Sequence, residues 1–245
     1  MSPKKTDYQD RKNLILGIVV NEYIRAVNPI SSAFIVQEYS LDLSPATIRN
    51  ILAELEEEEY LTHPHTSAGR VPTENGYRYY VDYLMNEIQL LEEEKKRIKG
   101  EYERQIHNLE GILEKTSQAI SDLTHYTSIV SVDGDDRIYC KGTSFIVSYH
   151  DYHDLNKIRD ILITLGEKER ILDIINRDLQ QKIKIYIGHE LACSSIEDCS
   201  LAVSSYRVNK GLSGRLAVLG PTRMDYPRVV SALDYVSKLM NEILL

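Results

Sequence analysis

Residues 41 to 80, LDLSPATIRNILAELEEEEYLTHPHTSAGRVPTENGYRYY, constrain this chain more than any other stretch. Their signals are local and follow one another without a gap: a capped helix, a short turn, a strand, a polar tip, and a second strand running into another helix. Ser44 is a good N-cap, because its hydroxyl accepts from an unpaired amide of the first turn. Pro45 sits at the first helical position, where its missing N–H costs nothing. Ile48, Ile51, Leu52 and Leu55 then recur at three- and four-residue spacing as a buried stripe. The opposite face of the first two turns carries Ala46, Thr47, Arg49, Asn50 and Ala53. Short side chains among bidentate hydrogen-bonding ones suit a helix that lies in a major groove and reads base edges. Taken alone, the pattern is better read as an amphipathic core helix with a polar outer face.

The neighbouring segments favour the groove. Upstream, Leu14, Ile15, Ile18, Val19, Glu22 and Tyr23 mark a first helix, and Asn28-Pro29 breaks the chain. Ile30 to Tyr39 forms a short second helix, capped by Ser31 or Ser32. Downstream, Tyr60 to His63 and Arg70 to Pro72 pair as strands around the tip HTSAG, where Gly69 permits a tight backbone. From that tip His65, Thr66, Ser67 and Arg70 are placed to reach phosphates or the adjacent minor groove. The expectation is a winged helix-turn-helix whose DNA-binding residues are Ser44, Ala46, Thr47, Arg49, Asn50, His65, Thr66, Ser67 and Arg70.

LSPATIRN, PHTSAGRVPT and GYRYYVD closely resemble the DNA-binding domain of the heat-inducible transcription repressor HrcA family. IYIGHEL and SGRLAVLGPTRMDYPRVVSAL resemble the close of the same family, and the blocks stand in the family's order. The resemblance implies repression of chaperone operons, the chaperonin operon and the GrpE–DnaK–DnaJ operon. It implies a homodimer on double-stranded DNA at an inverted-repeat (CIRCE-like) operator, relief on heat stress, and the chaperonin as a modulating partner. It also implies that the C-terminal part is GAF-like, and that a strand-containing dimerisation insert is missing between LTHYTSIV and DGDDRIYCKGTSFIV, making this a shortened member. The alternative is a winged-helix regulator whose shortened sensor domain responds to a ligand or metal unrelated to heat shock.

The net charge of −8 by itself argues against a nucleic-acid partner. Residues 1–83 alone carry 8 basic against 12 acidic residues. Much of that acid is the run Glu54, Glu56, Glu57, Glu58 and Glu59, at the C-terminal end of the reading helix and against its macrodipole. A groove-inserted helix presents its N-terminal end to the bases, so the run can lie off the phosphate track. Basic groups lie elsewhere, among them Lys4, Lys5, Arg11 and Lys12 near the start, Arg49 on the reading helix and Arg70 at the wing. The expectation is modest affinity per subunit, which requires a dimer.

From Gly76 to about Leu123 the pattern is almost wholly helical. Ile88, Leu91, Ile98, Tyr102, Ile106 (or Gln105), Leu109, Leu113, Ile120 and Leu123 follow a three-four repeat suited to a helix–helix seam within or between subunits. Gly100 and Gly111 mark places for a break. After Ser128, β and α signals alternate. Strands are expected at Ile129–Val132, Ile138–Cys140, Thr143–Val147, Lys182–Ile187, Leu201–Arg207 and Gly214–Leu219. Helices are expected at Leu155–Leu165, Glu167–Leu179 and Pro227–Leu244. The fold class is α+β: a winged helix in 1–83, a helical connector and dimerisation seam in 84–124, and a GAF-like α+β domain in 125–245.

No apolar run approaches a membrane span, and MSPKKTDYQDRKN lacks the apolar core of a signal peptide, so a cytoplasmic protein with no membrane partner is expected. Cys140, Cys193 and Cys199 read as unpaired, reduced thiols. The spacings of His63 with His65 and of Cys193 with Cys199 lack the ligand pattern of a structural zinc site. Without a Gly-rich phosphate loop or a catalytic signature, the chain is read as no enzyme, with no metal and no cofactor. Seventeen tyrosines with no tryptophan suggest rings packed on apolar stripes with hydroxyls at the surface.

Overall fold

The computed structural model describes residues 3–65, 69–86, 88–103, 109–135, 137–148, 154–177, 182–208 and 212–243. Thr66, Ser67, Gln105, Ile106, Leu179 and Leu244 lie outside them. The chain is a mixture of helix and antiparallel sheet and divides into two compact units, Met1–Asn86 and Glu87–Leu245.

In the first unit, α1 (Pro3–Ala26) is followed by α2 (Ser32–Glu38) and α3 (Pro45–Glu57). Ser31 caps α2, its hydroxyl accepting from the Phe34 amide. Strands β1 (Leu61–Thr62) and β2 (Val71–Pro72) pair antiparallel, Leu61 opposite Pro72. Ile15, Leu16, Val19 and Val20 of α1 meet Ile35 of α2 and the α3 stripe Ile48, Ile51, Leu52 and Leu55 in one core. Each such fully buried side chain contributes about 1.5–3 kcal/mol. α4 (Glu74–Tyr79) closes the unit and ends in a π-helical turn, Tyr80–Leu84. The Tyr79 and Tyr80 hydroxyls donate to Asn13 and Asn21 of α1 at 3.1 and 2.7 Å.

The second unit is built on a five-stranded antiparallel sheet in the order β4-β3-β7-β6-β5. Its elements are α5 (Glu92–Glu103), α6 (Leu109–Thr124), β3 (Thr127–Val132), β4 (Ile138–Lys141), α7 (Ser144–Val147), α8 (Leu155–Gly166) and α9 (Lys168–Ile175). They are completed by β5 (Ile183–Ile187), β6 (Cys199–Val208), β7 (Leu212–Pro221) and α10 (Tyr226–Ile243). Ile129, Leu201, Val203, Ala217 and Leu219 point to one face and pack on Ile158 and Ile161 of α8 and Ile171, Ile174 and Ile175 of α9. α6 and α10 cover strands of the same sheet, with Ser117 of α6 donating to the Ser128 carbonyl and Ser200 of β6 bonded to Tyr226 of α10.

Several expectations change here. Thr143–Val147 is not a strand: Ser144–Val147 is one helical turn, because a short apolar run carries no period that separates strand from helix. The helical stretch after Gly76 stops at Leu84 and resumes at Glu92, and between them Leu90 is buried and the Ile88 carbonyl accepts from Ser231 of α10. Ile98, Tyr102, Leu113, Ile120 and Leu123 of the expected seam are buried inside this one chain. Tyr102, Tyr206 and Tyr226 are fully buried, hydroxyls included, and bond to Thr116, the Ser131 carbonyl and Ser200. Among the described residues no helix is long and apolar enough to cross a membrane.

Candidate nucleic-acid interface

The start of α3 is fixed by its cap. Ser44 Oγ accepts from the Thr47 amide at 3.0 Å and lies 2.9 Å from Thr47 Oγ1, so both hydroxyls sit at the mouth of the helix. Ala46, Arg49, Asn50 and Ala53 are exposed while Ile48, Ile51 and Leu52 are buried, so the residues expected to read bases share the outer face. The side chains of Arg49 and Asn50 have no partner among the described residues. With no acidic residue in the first turn, the positive end of the helix dipole faces outward unopposed.

The far end of α3 answers the question raised by its acidic run. Glu58 and Glu54 both engage Lys12 of α1, Glu54 also accepts from Tyr8, and Glu56 holds His63 and Arg70 of the hairpin. The carboxylates thus tie α3 to the elements on either side of it. They also occupy basic groups that sequence alone would assign to phosphate. Lys12 is 6% exposed, and the Arg70 guanidinium lies 2.7 Å from Glu56, with its Nε buried and unbonded. The Tyr8 hydroxyl, exposed but hydrogen-bonded to the Glu54 carboxylate, has its pKa pushed up to about 12.

The helix ends in a left-handed residue, Glu59 (φ 62°), with the Tyr60 amide bonded to the Leu55 carbonyl and the Glu59 amide to that of Glu56. That turn launches the hairpin. Arg70 and Ile30 exchange backbone hydrogen bonds at 2.8 and 2.9 Å, adding a bridge from the α1–α2 link to the base of the hairpin. Gly69 is required there for close approach: a Cβ would lie 2.5 Å from the Ile30 carbonyl carbon. Gly76 serves the same purpose at the next helix, where a Cβ would lie 2.1 Å from the Tyr60 oxygen. His65 is exposed at the edge of the tip, whose Thr66 and Ser67 are outside the described residues. The side chains of Lys4 and Lys5 are outside them too. Sequence reasoning missed Glu54, Glu56 and Glu58 as organisers of the site, since their partners are distant in sequence.

Comparison with known proteins gives this arrangement a lineage. The heat-inducible transcription repressor HrcA of Pelotomaculum thermopropionicum is 29% identical, over 96% of this chain and 96% of its own length. That of Carboxydothermus hydrogenoformans is also 29% identical, over 96% and 98%. A family model described as HrcA protein C terminal domain matches residues 130–230. Over nearly its whole length the chain is similar to HrcA proteins. The match to the Pelotomaculum HrcA runs over 335 positions although this chain has 245 residues, so that HrcA carries residues with no counterpart here. A crystal structure described only as that of a hypothetical protein shares the fold of this chain, with a TM-score of 0.74 over 96% of this chain and 97% of that one, at 16% identity.

Proposed function

We propose that the first unit is a winged helix-turn-helix and the second a GAF-like domain, and that the chain is a heat-inducible transcriptional repressor of chaperone operons. α3 enters the major groove of an inverted-repeat operator with Ser44, Ala46, Thr47, Arg49 and Asn50 toward the DNA. His65, Thr66 and Ser67 approach the backbone from the hairpin, and Arg70 acts through Glu56 as the brace that aims it. The carrying observation is the outer face of capped α3, where Arg49 and Asn50 stand exposed without side-chain partners among the described residues. In an HrcA-family chain these are the groups suited to bidentate base contacts.

A homodimer follows from the charge. Phosphate neutralisation supplies most non-specific affinity, and here Lys12 and Arg70 are engaged by glutamates. Two copies on a twofold operator make the second contact intramolecular and raise avidity by roughly 10²–10⁴-fold. The chaperonin is the proposed modulator, and heat stress the condition that relieves repression. Footprinting on the chain's own chaperonin promoter at two temperatures tests the reading, with sedimentation of the free protein beside it. Protection of two half-sites that is lost at the higher temperature is expected. A footprint unchanged by temperature, or none on that promoter, overturns it.

A further inference from the structure

We infer that the second unit binds an amphipathic anion, a small molecule with one acidic head and an apolar or aromatic body, in the cleft between the start of β5 and α10. β5 is an edge strand, and the cleft beside it has a volume of about 600 Å³, within the size range of small-molecule sites. Its lining is of two kinds. Leu90, Ile183, Val230 and the ring of Tyr235 are apolar, while Lys95, Lys182 and Lys238 bring three ammonium groups against the single carboxylate of Asp234.

The charges are arranged and not merely numerous. Asp234 accepts from both Lys182 and Lys238, the latter at 2.7 Å. Burial alone would raise the Asp234 carboxyl, but the bonds from Lys182 and Lys238 outweigh it and hold it below the usual carboxylate range. It therefore stays ionised and fixes two lysines while neutralising one. Lys95 pairs with Glu92 at 2.8 Å, but Glu92 is 74% exposed, so water competes for that bond and an incoming anion can replace it. The walls are also fixed: Ser231 Oγ donates to the Ile88 carbonyl at 2.5 Å, and the Tyr235 hydroxyl to the Lys95 carbonyl at 2.9 Å. A bare phosphate would leave the apolar wall wet, and a wholly apolar guest would strip water from ammonium groups without replacing it. A head-and-tail anion satisfies both surfaces.

The test is direct binding to the full chain, independent of operator DNA. Anilinonaphthalene sulfonate, an aromatic body with a sulfonate head, serves as the fluorescent probe, with octanoate and inorganic phosphate as competitors. Saturable binding of one probe per chain is expected, displaced by octanoate and not by phosphate. Lys182→Gln with Lys238→Gln should weaken it about tenfold or more, since a hydrogen bond to a charged group is worth roughly one such factor. Lys168→Gln, an exposed lysine on α9, should leave it unchanged. Lys182 and Lys238 are 60% and 59% exposed, so folding should survive. If thermal melting shows that the double variant is unstable, Lys182→Gln alone is read. Affinity unchanged in the Lys182 variants, displacement by phosphate as readily as by octanoate, or no saturable binding would each overturn the inference.

Discussion

The Glu56 carboxylate lies 2.7 Å from the Arg70 guanidinium through one oxygen and bonds His63 through the other, joining α3 to both sides of the hairpin. Glu56→Ala removes an acidic side chain from a candidate DNA-binding unit, which electrostatics alone would count as a gain. We predict the opposite: a stability loss of about 1–2 kcal/mol and weaker operator binding, because the hairpin loses its aim. Thermal melting and fluorescence anisotropy on an operator duplex check it, and tighter binding by the variant would refute the bracing role.

Arg70→Ala separates a brace from a phosphate contact. A direct contact would lower the salt slope of DNA binding by about one. With its guanidinium on Glu56, Arg70 should change affinity while leaving that slope unaltered.

Arg49→Ala and Asn50→Ala should each cost about 1–3 kcal/mol at the cognate operator and much less on random DNA. Equal losses on both, in the same anisotropy titration, would make the residue a backbone clamp and turn α3 away from the bases.

Leu113 is fully buried in α6, so Leu113→Glu should destabilise the second unit by roughly 3–5 kcal/mol or more, not simply release a dimer. Circular dichroism beside sedimentation distinguishes the two: a folded monomer would place Leu113 at a subunit interface.

Tyr39 gives a pH test. Its burial, then its 2.7 Å hydrogen bond to Glu22, push its pKa up from 10.0 to about 12. The unfolded chain ionises first, so this stabilisation is complete below pH 10 and is lost as pH rises toward 12. Unfolding by denaturant across that window should show a smaller fall in stability for Tyr39→Phe than for the unmodified chain.

What could be read in the sequence was local. Ser44-Pro45 marks the start of α3 through cap chemistry confined to a few residues, and the α3 stripe needs only its own period. The role of Glu54, Glu56 and Glu58 was hidden because Tyr8, Lys12, His63 and Arg70 come from other segments. Periodicity also found the apolar face of residues 88–123 without naming what covers it: Tyr102 meets Thr116 and Ser117 meets Ser128, inside the same chain. Gly69 was legible as a turn residue, but its close approach to Ile30 was not.

Strand β3 has one neighbour close behind it and one near the end of the chain, with Thr127 opposite Leu219. Such a pairing must close a long loop before it gains anything, which slows folding, whereas the first unit is made from contiguous residues. At roughly 5–20 residues per second of synthesis, β3 is made several seconds before β7 leaves the ribosome. During that interval one long edge of β3 is without its partner, open to other strands. Unpaired strand edges of that kind are what make a growing chain prone to aggregate.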